Sequence, residues 1–183
     1  MLGAASGGGI LEGMSRTDVL DLGRLALTSG EGRRFETELQ VDPLELGGET
    51  YSARPSVVAA VLDVSRTTSG WSLRLRYRAA LEGPCVRCLE AAEQAIEIDA
   101  REVDQPGGGE DLSSPYISGD ELRLRDWARD ALALALPAKI VCREQCLGLC
   151  AVCGEKLNDA GPAHGHERAP DPRWAKLGEL RLE

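Results

Sequence analysis

Six cysteines and two histidines are the residues here whose types and spacing could do chemistry. Cys85-Val-Arg-Cys88 is a CxxC, Cys142-Arg-Glu-Gln-Cys146 a CxxxC, and Cys150-Ala-Val-Cys153 a second CxxC followed by Gly154. The only two histidines follow as His164-Gly-His166. A CxxC turn brings two sulfurs to one side, which suits a tetrahedral ion, and Gly154 lets the backbone curl so that its amides face the thiolates. Zinc in a structural site takes four such ligands in a closed shell, so eight donors suffice for one or two zinc ions. The spacing suggests Cys150, Cys153, His164 and His166 as one local site. Cys85, Cys88, Cys142 and Cys146 would then form an all-thiolate site tying two distant segments together. A second grouping stays open, in which Cys142 and Cys146 serve a local site with Cys150 and Cys153. The competing reading of the histidines is a solvated loop.

Other thiol chemistry fits less well. A redox dithiol expects its first cysteine at a helix N-terminus in a βαβ setting, which the sequence lacks. A catalytic zinc keeps an open position beside an acid or base, and there is no HExxH and no HxE paired with PCxxC. A zinc or thiol enzyme is therefore the weakest alternative, and neither a catalytic residue nor a small-molecule substrate is expected. The N-terminus carries no Lys or Arg before Arg16, and glycines interrupt its apolar content, so a secretory signal is not expected. The expected compartment is the cytoplasm, where thiols stay reduced and clustered cysteines point to metal before disulfide. No apolar run approaches the roughly 18 to 20 residues of a membrane span.

Charge is unevenly spread. The net charge of -9 argues against coating nucleic acid by bulk electrostatics. Yet residues 66–88 hold five arginines against Glu82 alone, whereas residues 89–121 hold ten acids against Arg101 alone. Arg74, Arg76 and Arg78 form a stripe with Arg87 beside the first CxxC. They are candidates for contact with RNA phosphates; alternatively, the stripe pairs across strands with Glu97 and Asp99.

The elements that must position these groups read as α+β: a small antiparallel sheet, one main helix and a zinc-stapled C-terminal tail. Residues 1–13 read as a disordered leader, with Met14 a second possible start, 14–137 as the β-domain with its helix, and 138–183 as the Cys/His tail. Leu20, Leu22, Leu25 and Leu27 suit either a short strand or a turn of helix. Residues 35–41 and 56–66 read as strands, and Pro43 and Gly47-Gly48 as turns. In the clearest strand Trp71, Leu73, Leu75, Tyr77, Ala79 and Leu81 share one face, and Ser72, Arg74, Arg76 and Arg78 the other. Ile96, Ile98 and Ala100 repeat the alternation, so an antiparallel pair with Cys85 and Cys88 at its tip is predicted. Residues 104–115 read as a loop with no structure of its own. Leu124, Trp127, Ala128, Ala131, Leu134 and Ala135 fall on one helical face that Pro137 ends. The tail is too poor in apolar residues to build a core, and residues 171–182 suit a short final helix with Asp171 as N-cap and Pro172 in its first turn.

These motifs together resemble a known family. Cys85-Val-Arg-Cys88-Leu89, Leu132-Ala-Leu-Ala-Leu-Pro137, Cys142-x3-Cys146-Leu-Gly-Leu-Cys150-x2-Cys153-Gly154-x2-Leu157-Asn158 and Asp171-Pro-Arg173-x3-Leu177 are similar to the YceD-like, or large ribosomal RNA subunit accumulation, family. The resemblance covers roughly residues 19–182. Where many members carry Cys-x-Cys after the Leu-Asn pair, this chain has His164-x-His166, which keeps ligand chemistry. Some members have His at the positions of Cys142 and Cys146 and lack the later set, which supports Cys85, Cys88, Cys142 and Cys146 as one unit. The resemblance implies a bacterial cytoplasmic, non-enzymatic factor for accumulation or processing of 23S ribosomal RNA. Its partner would be large-subunit rRNA or a ribosomal protein, the latter docked through the acidic segment 89–121 in the adaptor alternative.

Overall fold

The computed structural model describes residues 18–109, 112–161, 163–166 and Arg173. The leader expected over 1–13 and, Arg173 aside, the helix expected over 171–182 lie outside the described residues. Among the described residues there are nine strands and one α-helix, and the strand pairings are antiparallel.

The largest sheet is built on β5 (Val57–Arg66), β6 (Trp71–Pro84) and β7 (Ala91–Asp104). β6 and β7 pair over fourteen residues each, from Trp71 opposite Asp104 to Pro84 opposite Ala91. The alternation along β6 is the reason. Trp71, Leu73, Leu75, Tyr77, Ala79 and Leu81 are all buried, while of the intervening arginines Arg74 and Arg76 are half-buried and Arg78 is exposed. A one-residue slip would exchange the two sets, so the register is strongly specified. The turn from β5 into β6 needs Gly70: a Cβ there would lie 1.7 Å from the Asp104 carbonyl oxygen.

β5 covers only the first half of the other edge of β6, and β4 (Glu49–Arg54) takes over at residues 80–82. β2 (Gly32–Gln40) pairs with β5, and β3 (Leu44–Leu46) with β4 across Gly47 and Gly48, both at positive φ. β4 is a strand that the sequence pattern did not reveal, because Glu49-Thr-Tyr-Ser-Ala-Arg54 has no clean apolar alternation. The leucines near the N-terminus adopt both suggested forms, with β1 (Val19–Asp21) running into a 3-10 turn at Gly23–Leu25. β1 pairs with β9 (Glu121–Arg123), and β9 with β8 (Ile117–Ser118). The segment expected to lack structure is anchored at its ends. Ser114, itself buried, donates its N–H to Asp104, and Gln105 donates to the Leu112 carbonyl.

Helix α1 (Leu124–Leu134) touches β1, β2 and β7. It buries Leu124, Trp127, Ala128, Ala131 and Leu132, the i, i+3, i+4, i+7, i+8 pattern of a core-facing stripe. Leu134, placed on that face by the sequence reading, is instead 88% exposed. At about 100° per residue Leu134 lies on the same side of the helix as Trp127, two turns on. Trp127 is covered, with Tyr116 stacked on it, whereas Leu134, the last helical residue, lies past that cover. Tyr77 on β6 donates its hydroxyl to the Ala128 carbonyl at 2.6 Å, and burial pushes its pKa up. Ile140, Cys85, Cys88 and Cys146 belong to the same apolar cluster as the sheet and helix, so the metal-ligand candidates sit at one end of a continuous core. No described helix is long and apolar enough to cross a membrane.

The helix is also held by charge. Arg125 grips Asp42 with two parallel bonds of 2.7 and 2.6 Å, the bidentate geometry that makes such pairs strong. The Arg125 hydrogen bond holds the Asp42 carboxyl below its ordinary range. A depressed carboxylate pKa adds stability above the unfolded pKa, and that stability is lost as pH falls through the folded value. Asp42→Asn should therefore cost about 1 kcal/mol near neutrality, given the partial exposure of both side chains. The difference from the unsubstituted protein should shrink as pH falls below the ordinary carboxylate range and vanish once pH has passed below the depressed folded value. Urea denaturation of both proteins across pH checks this.

Candidate metal centres

The hairpin between β6 and β7 ends in a knuckle. Cys85 donates its N–H to the Glu90 carbonyl at 2.7 Å, Leu89 donates back to the Cys85 carbonyl at 2.9 Å, and the Arg87 N–H points at the Cys85 sulfur at 3.4 Å. The turn closes because Leu89 adopts φ +61°.

The second CxxC is folded in the same way. Cys150 donates to the Glu155 carbonyl at 2.8 Å, Gly154 donates to the Cys150 carbonyl at 2.9 Å, and the Val152 N–H points at the Cys150 sulfur at 3.4 Å. Gly154, at φ +73°, stands where Leu89 stands in the first knuckle. Cys85-Val-Arg-Cys-Leu-Glu90 and Cys150-Ala-Val-Cys-Gly-Glu155 are thus two copies of one turn, and Lys156, just after the second, pairs with Glu90 at the end of the first.

Each knuckle meets a second pair of donors, in the grouping that spacing suggested. Cys85, Cys88, Cys142 and Cys146 form one cluster and Cys150, Cys153, His164 and His166 the other, with the ligand atoms of each within 4.8 Å of one another. The alternative that joined Cys142 and Cys146 to Cys150 and Cys153 does not occur. In the first cluster the Cys85 and Cys146 sulfurs are 3.8 Å apart and those of Cys88 and Cys142 3.5 Å. Four sulfurs about 2.3 Å from a tetrahedral ion would be about 3.8 Å apart, so the spacing of these free thiols suits one such ion. Cys85, Cys88 and Cys146 are buried and Cys142 half-buried.

The protein prepares these sulfurs unequally. Burial pushes the Cys85 thiol up, but the N–H groups of Cys142, Arg87 and Cys88 outweigh it and bring the thiol to about 6. The Asn158 amide lowers Cys146, with help from the Gly148 N–H. Burial, with the three neighbouring thiols, raises Cys142 to about 12. Four adjacent sulfurs cannot all ionise unaided; a divalent cation at their centre removes that conflict.

The second cluster is more exposed. Cys150 is buried and His164 half-buried, while Cys153 and His166 are exposed. The Nε2 atoms of His164 and His166 lie 3.6 and 3.2 Å from the Cys153 sulfur. Glu155 contacts His164 Nδ1 at 3.1 Å, the outer carboxylate that fixes a metal-binding imidazole with its other nitrogen turned inward. The Cys153 N–H and the His164 imidazole lower the Cys150 thiol to about 6. Two imidazoles and two thiolates make a donor set that fits one metal ion.

Two supporting residues were not among the candidates read from sequence. Glu155 orients His164, and Asn158 touches Cys146; the Leu157-Asn158 pair was noticed only as part of the family motif. The Arg candidates are all engaged internally. Arg74 pairs with Asp99 at 2.5 Å, Arg78 with Glu97 at 2.9 Å, and Arg76 with Asp63 at 2.7 Å. Arg87 donates to the Cys146 carbonyl at 2.6 Å, bracing the two halves of the first cluster. Cross-strand pairing of the stripe, the alternative weighed from sequence, thus occurs, with Asp63 of β5 as an additional partner.

A family model described as large ribosomal RNA subunit accumulation protein YceD matches residues 73–181. That span begins within β6 and includes both clusters. Uncharacterized proteins of Mycobacterium bovis and Mycobacterium tuberculosis are each 35% identical over 104 residues, 54% of this chain and 49% of theirs. An uncharacterized protein of Mycobacterium leprae is 33% identical over 103 residues, 52% of this chain and 46% of its own. The chain spans about half the length of these curated relatives. No solved structure matches.

Two measurements follow from the geometry. Cys85→Ser and Cys146→Ser should each lose the same metal ion, and Cys153→Ser the other, as counted by elemental analysis with titration of the remaining metal. Leu89→Gly should stabilise the metal-loaded protein by about 1 kcal/mol, since a left-handed non-glycine residue costs about 1–2 kcal/mol and Leu89 is 64% exposed, with little packing to lose. Thermal unfolding of the loaded protein checks the second.

Proposed function

The chain belongs to the YceD family of large ribosomal RNA subunit accumulation proteins, and on that premise we propose that it is a cytoplasmic, non-enzymatic factor supporting accumulation or processing of 23S ribosomal RNA. The carrying observation is that the matched residues span both four-donor clusters. Each cluster has enough ligands to fill a tetrahedral shell, the design of a structural rather than a catalytic zinc site. Zinc, when bound, supplies folding free energy to a tail that lacks a core. The cysteines and histidines hold it, Glu155 orients His164, and Arg87 braces Cys146.

The partner is large-subunit rRNA or a ribosomal protein. In the RNA reading, phosphates exchange with the carboxylates on the Arg74, Arg76 and Arg78 stripe. The Arg74 and Arg78 pairs are the more exposed ones, and exposed pairs are worth only about 0–1 kcal/mol, so exchange there costs little; the Arg76–Asp63 pair is half-buried and yields less readily. The adaptor reading uses the same pairs from their other side: Asp63, Glu97 and Asp99 already hold guanidinium groups, and the cations of a basic ribosomal protein would take these carboxylates over.

Depletion in cells should lower mature 23S relative to 16S rRNA, measured by quantitative electrophoresis; an unchanged ratio removes the ribosomal role. Complementation then separates the readings. Glu97→Gln with Asp99→Asn unpairs Arg78 and Arg74, so the RNA reading expects retained rescue and tighter, more salt-sensitive RNA binding. The adaptor reading expects lost rescue.

A further inference from the structure

The two clusters are joined by a short segment, by the Glu90–Lys156 pair between their knuckles and by the Asn158 side chain, which alone of these reaches a sulfur. Only Leu147, Gly148 and Leu149 separate Cys146 of the all-thiolate cluster from Cys150 of the second. Asn158 lies on the loop between Cys153 and His164, which a metal in the second cluster would close. From there it reaches back, its Nδ2 donating to the Cys146 sulfur at 3.3 Å while its Oδ1 accepts the Leu147 N–H at 2.9 Å. The same loop is pinned beside it by the Leu157 N–H on the Gly148 carbonyl at 2.9 Å. Gly148 has no room for a larger residue to compensate, since a Cβ there would sit 3.0 Å from the Arg87 carbonyl, and its φ is +80°.

Cys146 is 2% exposed, so water does not readily replace a missing donor. A buried sulfur carrying negative charge and deprived of its hydrogen bond bears the full desolvation cost. We infer that Asn158 is a positioning residue of the all-thiolate site, and that metal in the Cys150–Cys153–His164–His166 site slows metal loss from the all-thiolate site by holding Asn158 in place. This rests on the metal reading of both clusters. The exposed site thereby acts as a latch on the buried one.

The test uses the full chain loaded with cobalt(II) or zinc, with release to a chromogenic chelator followed in time. Cobalt separates the sites, because all-thiolate and mixed thiolate–imidazole shells absorb differently. Asn158→Leu should speed release from the all-thiolate site about 10-fold or more, the usual scale for removing an outer-shell partner. It should also move the sulfur-to-cobalt absorption of that site to lower energy, because a thiolate that has lost a hydrogen bond gives up an electron more readily. A loosened loop alone, with all four ligands intact, would not move that band. Asn158→Asp keeps the acceptor for Leu147 but has no N–H for the sulfur, so it should show the same band shift with the loop retained. His164→Ala with His166→Ala should speed release from the all-thiolate site in the parent protein and add little in the Asn158→Leu background, the non-additivity of one shared path. Independent, multiplying effects would overturn the latch. An unchanged band and release rate in both Asn158 variants would overturn the positioning role. If the parent protein binds neither metal, the metal reading fails and the inference with it.

Discussion

The structure depends most on the antiparallel pairing of β6 with β7. Fourteen residues on each strand, locked in register by the buried alternation from Trp71 to Leu81, make a ribbon long enough to carry a turn beyond the main core. That turn holds Cys85 and Cys88. It meets Cys142 and Cys146 because α1 packs on the same sheet and delivers the chain after Pro137 to the hairpin tip, where the Val86 N–H bonds the Ile140 carbonyl. The all-thiolate cluster is therefore the far end of the hydrophobic core. A slip of the ribbon would expose the core face and separate the four sulfurs in one step.

Beyond that junction the tail is organised by repetition. The knuckle at Cys150 copies the knuckle at Cys85 bond for bond, down to a left-handed residue after the second cysteine. The copies differ in surroundings. The first is embedded in apolar side chains and completed by two more buried or half-buried thiols, whereas the second is completed by imidazoles at the surface. Asn158 and the Glu90–Lys156 pair bind the copies into one unit, while Arg87 braces the first cluster internally. A metal at either position would restrain groups at the other.

Electrostatics gives the outer face of the sheet a different character from the one its composition suggests. The basic stretch 66–88 and the acidic stretch 89–121 lie largely on neighbouring antiparallel strands, so much of their charge meets across the pairing. Arg74 and Arg101 are directly opposite each other, a like-charged pair, and Asp99 beside them takes up Arg74. The face is a mosaic of exchangeable ion pairs, and any partner must compete with internal carboxylates or with internal guanidinium groups.

By itself the sequence determined whatever depends on local periodicity and ligand spacing. The alternation of β6 and β7, the helix stopped before Pro137, the CxxC turns and the family motif were all readable because each is encoded within a few consecutive residues. Tertiary structure decided the rest. It chose among the donor groupings, since six cysteines permit more than one and only the packing of α1 brings residue 142 to residue 85. It placed Leu134 in solvent although Trp127, on the same side of the helix two turns earlier, is buried, because neighbouring groups cover that side only along the first part of α1. It created β4, whose pairing comes from the edge that β5 vacates on β6 and not from its own pattern. It also gave Asn158 and Glu155 their places beside the ligands, since a contact between residues joined only through a folded loop leaves no periodic trace in the chain.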